Sequence, residues 1–344
     1  MSSAQFVFQA VKGIQANMEY FATMVPLDCL SKLFIFNNED LPPELRAQRI
    51  LNKARIPAIC DYIIKNPTSY VFSALTASVD GNILFTPIDE KYPSIGTITI
   101  DFSSKLLIND GQHRYAAIKS ALKLNPDLKY EHIPVILYHD LGLKRSQQMF
   151  SDLNKFALRP THSLNIMYDN RDADSKLVKD IIANVPVFKG LVDTEHTSIS
   201  NRSNQLFTLS GLHRGTKALF SGLPWNYEKK REIGIIFWNV VSEYMQDWKD
   251  VYYGKTKAYA IRQNSLSSLS ITIKGLGAIG NEILHKAPET INTALSPLSQ
   301  IDWHKNGPLW KEGIVVNGSV VSSRATQKMM ENILCNAIRG AING

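Results

Sequence analysis

Apolar positions along the first 164 residues switch between a period of two and helical spacing, and the switches outline the elements. Ile98, Ile100 and Phe102 alternate with polar residues, as in a half-buried strand, and Leu106-Leu107-Ile108 follows as a short apolar run. Tyr115, Ile118 and Leu122 then mark one face of a helix that Pro126 stops. Ile133 to Tyr138 reads as a buried strand, and a helix follows from about Lys144 to Phe156, with Met149, Phe150 and Leu153 inward. Upstream, Tyr70 to Val79 is rich in β-formers and ends on Asp80-Gly81, a turn signal that returns Asn82 to Pro87 as a short strand. Asn17 to Leu33 reads as a helix split or kinked at Pro26. Pro42 and Pro43 open another helix, with Ala47, Ile50, Leu51 and Ala54 on its apolar face.

From about residue 165 the pattern turns mostly helical. Ile233, Ile236, Phe237, Val240, Val241 and Tyr244 form an amphipathic helix ending near Trp248. Another runs through Ser267 to Leu284 and carries Gly275, Gly277 and Gly280. A glycine costs a helix about 1 kcal/mol relative to alanine, so three in one helix point to close packing. Residues 301–318 read as loops with short strands, and a last helix spans Ser322 to Arg339. The expected fold class is α+β, with an N-terminal domain over residues 1–164 and a mostly helical region over 165–344.

Composition narrows the setting. A chain of 344 residues with 44% hydrophobic and 20% charged residues has ample material for a core. No apolar run approaches the ~20 residues needed to cross a bilayer, so no membrane partner is expected. Met1 to Gln5 lacks a basic segment leading into an apolar one, which argues against secretion. Cys29, Cys60 and Cys335 form no CxxC pair and suit a reducing cytosol, so the expected location is cytoplasmic. The net charge of +7 makes a polyanion a natural partner, and nucleic acid is the commonest one.

The densest chemistry falls on Asp110-Gly111-Gln112-His113-Arg114, between the strand ending at Ile108 and the helix of Tyr115. The first N–H groups of a helix lack intrahelical partners and carry partial positive charge. Gly111 lets the backbone approach a ligand, and Arg114 offers a fork suited to phosphate. Asp110 and His113 are the catalytic candidates: the carboxylate as metal ligand or orienter, the imidazole as donor or general acid–base. A purely structural use of the same turn, with Asp110 as cap and Arg114 paired to a carboxylate, stays open.

The run Ile108-Asn-Asp-Gly-Gln-His-Arg-Tyr-Ala-Ala117 resembles the signature of the DGQHR-domain family, best known from the DndB proteins of bacterial DNA phosphorothioation gene clusters. Tyr70 to Gly81, Met149 to Lys155 and Trp303 to Gly318 agree with that family. The resemblance implies a DNA-binding negative transcriptional regulator, a repressor of the DNA sulfur modification (dnd) operon. Its partners would be double-stranded promoter DNA, other DNA modification proteins and a second copy of itself.

More distantly, the turn is similar to the Gly-x-x-Arg phosphate box of ParB partition proteins and sulfiredoxin. That likeness implies a ParB/sulfiredoxin-like N-terminal domain and a nucleotide, ATP or CTP with Mg, held by Asp110, Gly111, Gln112, His113 and Arg114. A later helix would add Asn154, followed by Lys155 and Arg159; Lys155 departs from the arginine that ParB-like proteins carry. The rival class is a nucleotide-dependent enzyme, an ATPase or DNA nickase. No cysteine lies near the box in sequence, which counts against a reductase.

Arg46, Arg49 and Lys53 share a helical stripe with Arg55 close by, and Lys229-Lys230-Arg231 is a second basic cluster. Both are candidates for DNA backbone contact, and both are also what a solvated helix face looks like. Cys29 is a candidate redox or DNA-linked thiol, with core filling as its alternative. His132 and His139 flank a strand without a third ligand at metal spacing, so no structural metal is expected. Gly211-Leu-His213-Arg214 repeats part of the motif but lacks the aspartate, and no strand is expected before it. Arg114→Ala is expected to weaken phosphate binding without unfolding the chain.

Overall fold

The computed structural model describes residues 4–34, 51–139, 142–155, 160–311 and 313–342. The chain forms two compact units, residues 1–158 and 159–344.

The first unit is built on one mixed sheet. Its elements are β1 (Gln5–Gln15), β2 (Met18–Pro26), α1 (Leu30–Leu33), α2 (Ile56–Lys65), β3 (Leu75–Asp80), β4 (Ile83–Pro87), β5 (Ile95–Asp101), β6 (Lys105–Asp110), α3 (Gln112–Leu124), β7 (His132–His139) and α4 (Leu143–Lys155). The strands lie in the order β4-β5-β1-β2-β7-β3-β6, all antiparallel except β3 with β7. Leu75, Ala77 and Val79 alternate onto one face with Val135 and Leu137, and Ile63, Ala117, Ile118 and Ala121 from α2 and α3 join them in one core. Thr76 and Ser78 point the other way, and the Ser146 hydroxyl of α4 lies 3.5 Å from that of Ser78.

The segment Asn17 to Leu33, expected as a helix, is instead the turn and second strand of a hairpin followed by the short α1. Ala16 and Asn17 take φ of 49° and 62°, the left-handed pair that a two-residue hairpin turn demands. Phe21, Thr23 and Val25 then alternate inward, so Pro26 ends a strand rather than kinking a helix. Most of the helix expected after Pro42 falls in 35–50, outside the described residues; Lys53–Arg55 form a 3₁₀ turn leading into α2. Phe102 lies just past β5, largely exposed, with its ring 4.2 Å from that of Phe6. Leu153, expected inward, is exposed on α4.

The second unit is mostly helical. It comprises α5 (His162–Tyr168), α6 (Ala173–Asn184), β8 (Val192–Asp193), β9 (Phe207–Thr208), α7 (Leu209–Leu219), α8 (Tyr227–Tyr244), α9 (Gln246–Tyr252), α10 (Ala258–Asn264), α11 (Ser270–Lys286), α12 (Ile291–Leu295), α13 (Pro308–Lys311), β10 (Val315–Val316), β11 (Ser319–Val320) and α14 (Arg324–Ile342). Phe188, Phe207, Trp238 and Trp248 pack edge to face at its centre. The helix expected to reach Trp248 stops at Tyr244, because Met245 turns extended (φ −97°, ψ 90°) and α9 carries the tryptophan. α11 lies against α7 so closely that a Cβ on Gly277 would stand 2.0 Å from the Gly215 carbonyl oxygen. The chain is thus α+β, and no helix among the described residues is long and apolar enough to cross a membrane.

Candidate anion-binding site

The turn at residues 110–114 is shaped by a bulge and a glycine. Thr76 pairs with Asp110 and Ala77 with Ile108, so Asn109 is an extra residue in β6. Gly111 follows at φ +99°, and a Cβ there would stand 2.4 Å from Leu75 Cδ2. The chain can therefore leave the sheet edge and enter α3 within one residue only if that residue is glycine.

The helix start has no side-chain cap: its N-cap is Gly111, which carries no side chain. The first N–H to find a backbone acceptor inside the turn is that of Tyr115, which donates to the Gly111 carbonyl at 2.9 Å. The N–H groups of Gln112, His113 and Arg114 precede it and have no intrahelical acceptor. Two side-chain donors beside them are unmet among the described residues. Asn109 is 1% exposed; its Oδ1 accepts from the Ser78 hydroxyl at 2.8 Å, while its Nδ2 has no partner among the described residues. The buried Nε2 of Gln112 is likewise unpartnered. Buried donors left unmet cost about 1–3 kcal/mol each, so an acceptor brought by a ligand would be strongly favoured here.

Arg114 is engaged by the protein. Its Nη1 donates to the Ser73 carbonyl and hydroxyl, both at 2.5 Å, and to the Ala74 carbonyl at 2.7 Å. Its Nη2 pairs with Asp110 Oδ2 at 2.5 Å, and the side chain is only 17% exposed. The fork read from the sequence as a phosphate grip ties the segment leading into β3 to the turn. Removing it would leave two carbonyls and a carboxylate without this donor, which points to a cost in folding for Arg114→Ala. The N–H of Asn52 donates to His113 Nε2 at 3.1 Å, which ties the ring to the segment before α2. Asn154 and Lys155 stand at the C-terminal end of α4, and Arg159 lies outside the described residues.

The other candidates are dispersed. Arg46 and Arg49 lie outside the described residues, whereas Lys53 and Arg55 are the first and last residues of the 3₁₀ turn before α2. In the second unit the Lys229 ammonium sits 4.3 Å from the Trp225 ring and Arg231 Nε lies 3.5 Å from Asp180 Oδ2. Lys230 between them is half-buried. Burial, and then the neighbouring Asp28, push the Cys29 thiol up, which keeps it protonated and a poor nucleophile near neutral pH.

The motif echo at Gly211 to Arg214 has a strand before it after all: β9 pairs in parallel with β8 and runs straight into α7. Its helix start differs from that of α3. Thr208 Oγ1 accepts from the Gly211 N–H at 3.1 Å, so this start is capped, and the glycine lies inside the helix. The same residue types thus sit in two local settings: side-chain amides of Asn109 and Gln112 are unmet at the first, and the buried Nε2 of His213 is unmet at the second. Asn109 was missed by reasoning from the sequence, although a polar residue ending the apolar run 106–108 was a visible signal.

A family model described as DndB, DNA-sulfur modification-associated, matches residues 8–340. No curated protein and no solved structure matches the chain.

Proposed function

The chain belongs to the DndB family, a DNA-sulfur modification-associated family, and from that premise we propose that it is a DNA-binding negative regulator of a DNA phosphorothioation operon with a phosphate site at residues 109–114. The observation that carries the phosphate site is the uncapped start of α3 beside the unmet amides of Asn109 and Gln112. A phosphate brings acceptor oxygens and negative charge, and this turn offers donors and the positive end of a helix. Gly111, Gln112 and Asn109 are the groups that touch the ligand in this reading; Arg114 and Asp110 hold the turn in shape. The net charge of +7 supports a polyanionic partner for the whole chain.

The test is a titration of the full chain with promoter and scrambled duplexes, with and without ATP or CTP. Tighter binding to the promoter, changed by nucleotide, is the expected outcome; equal affinity for both duplexes removes the regulator. For the turn itself, Gln112→Glu replaces an unmet donor with an anion. It should weaken nucleotide binding by about tenfold or more while leaving the fold intact. Undiminished affinity in that variant sinks the phosphate site. A second reading, a nucleotide-dependent hydrolase or nickase, draws on the Asp110 carboxylate, 42% exposed at the same turn. Turnover by the purified protein that Asp110→Asn abolishes would favour it.

A further inference from the structure

A cavity of about 930 Å³ opens in the second unit where α7, α11 and α14 meet. Arg214 and Lys217 of α7, Lys274 of α11, and Arg324 and Lys328 of α14 line it, with Glu331 the one acid among the described lining residues. Lys217 pairs with Asp174 at 3.3 Å and Lys328 with Glu331 at 3.8 Å. Arg214, Lys274 and Arg324 have no ion pair among the described residues, and Lys274 is half-buried.

Such an arrangement costs the fold. Like charges gathered around one cavity repel, and Arg324 and Lys328 sit at i and i+4 on one helix, where equal charges weaken it. A partly buried ammonium without a counter-charge adds a desolvation penalty. The scaffold that holds these cations is nevertheless tight. Arg214 precedes Gly215 and Lys274 precedes Gly275. Gly215 meets α11 at the Gly277 backbone, while a Cβ on Gly275 would stand 2.8 Å from Leu334 Cδ1 of α14. The residues that carry these charges thus sit next to tight packing contacts of α7, α11 and α14. The start of α14 at the rim, closed by reciprocal bonds between Ser323 and Thr326, adds its positive helix end.

From this geometry we infer that the α7/α11/α14 cleft binds the sugar–phosphate backbone of duplex DNA. The inference rests on the DNA-binding reading above and gives it a surface. Among the described residues the lining holds no aromatic side chain on which a base could stack, and Ala218 and Ala278 leave its floor small. A base-reading pocket or a nucleotide site needs such apolar walls; a backbone track needs only spaced cations. Arginine at two of the three unpaired positions suits bidentate phosphate contact.

The experiment is a salt series of duplex-DNA titrations with the full chain and its R214A/K274A/R324A variant. Each lost phosphate contact should lower the slope of log K against log salt by about 0.9, so the variant should lose about 2.7 in slope and about tenfold or more in affinity. R214K/R324K keeps the charges, so it should keep the wild-type salt slope and bind more tightly than the triple variant, short of wild type by the lost bidentate contacts, and unchanged tryptophan fluorescence should show the second unit folded. Should the triple variant prove unstable, Arg324→Glu alone, at an exposed first-turn position, should still reduce affinity and slope. A triple variant, or Arg324→Glu, that binds with wild-type affinity and slope overturns the cleft while leaving DNA binding in place. A wild-type chain that does not bind duplex DNA even at low salt overturns the DNA-binding reading and the cleft with it.

Discussion

Arg114 joins the segment leading into β3 to the mouth of α3 through four contacts of its guanidinium. Arg114→Ala should therefore destabilise the first unit by about 2–4 kcal/mol, because two carbonyls and a carboxylate lose a charged donor. Circular dichroism melting checks this, and an unshifted midpoint would return the arginine to the ligand site. That residue types alone suggested a phosphate grip is understandable, since a sequence shows the fork but not the carbonyls of Ser73 and Ala74 that fold against it. His213 carries a different prediction. Burial pushes its imidazole below the ordinary 6.5, outweighing the lift from Asp174 and Asp172. The folded chain therefore takes up this proton at lower pH than the unfolded one. Stability contributed by the neutral ring is intact well above 6.5 and is lost as pH falls through that value toward the depressed folded pKa. Asp172 moves the same way at lower pH. Burial lifts it, but hydrogen bonds from Ser175 and the charges of His213 and Lys217 hold it below the usual carboxylate value, so its contribution is lost in stronger acid. Urea unfolding of His213→Gln at pH 7 and pH 5.5 should show a smaller acid loss than wild type.

At the scale of elements, long periodic stretches were legible. The alternation of Ile98 and Ile100, the helical face of Tyr115, Ile118 and Leu122, and the cores of α11 and α14 appear where the pattern placed them, with ends shifted by up to three residues. The hairpin of β1 and β2 was not legible, because its turn uses Ala16 and Asn17 in left-handed conformations without the Asn-Gly signal that usually marks one. The bulge at Asn109 was hidden for a related reason: register is set by the partner strand, which sequence order does not reveal. The glycines of α11 were readable as packing residues, and their partner is now named. Gly277→Ala gains about 1 kcal/mol of helix propensity but sets a methyl against the Gly215 backbone, which cannot move aside like a side-chain tip. Forcing α7 and α11 apart should give a net loss of about 1–3 kcal/mol in urea denaturation. A neutral or stabilised variant would mean that the two helices tolerate a wider spacing.

For the whole molecule, the two units have separate hydrophobic cores, with Phe21, Leu75 and Ile118 in one and Phe188, Trp238 and Ile279 in the other. The tryptophans supply a reporter for one of them alone. All five, Trp225, Trp238, Trp248, Trp303 and Trp310, lie in residues 159–344. Chains whose cores do not overlap can unfold in separate steps, and a single midpoint then describes neither. Gly111→Ala places a methyl at φ +99° against Leu75 and should cost the first unit about 1–3 kcal/mol. It should lower the earlier part of a far-ultraviolet dichroism melt while leaving the tryptophan fluorescence midpoint where wild type has it. Gly277→Ala should do the reverse, moving the fluorescence midpoint and sparing the transition of the sheet. If either glycine variant shifts both signals together, the units unfold as one cooperative body. A ligand at the 109–114 turn would then stabilise the second unit as well, and nucleotide and DNA binding would be coupled through folding itself.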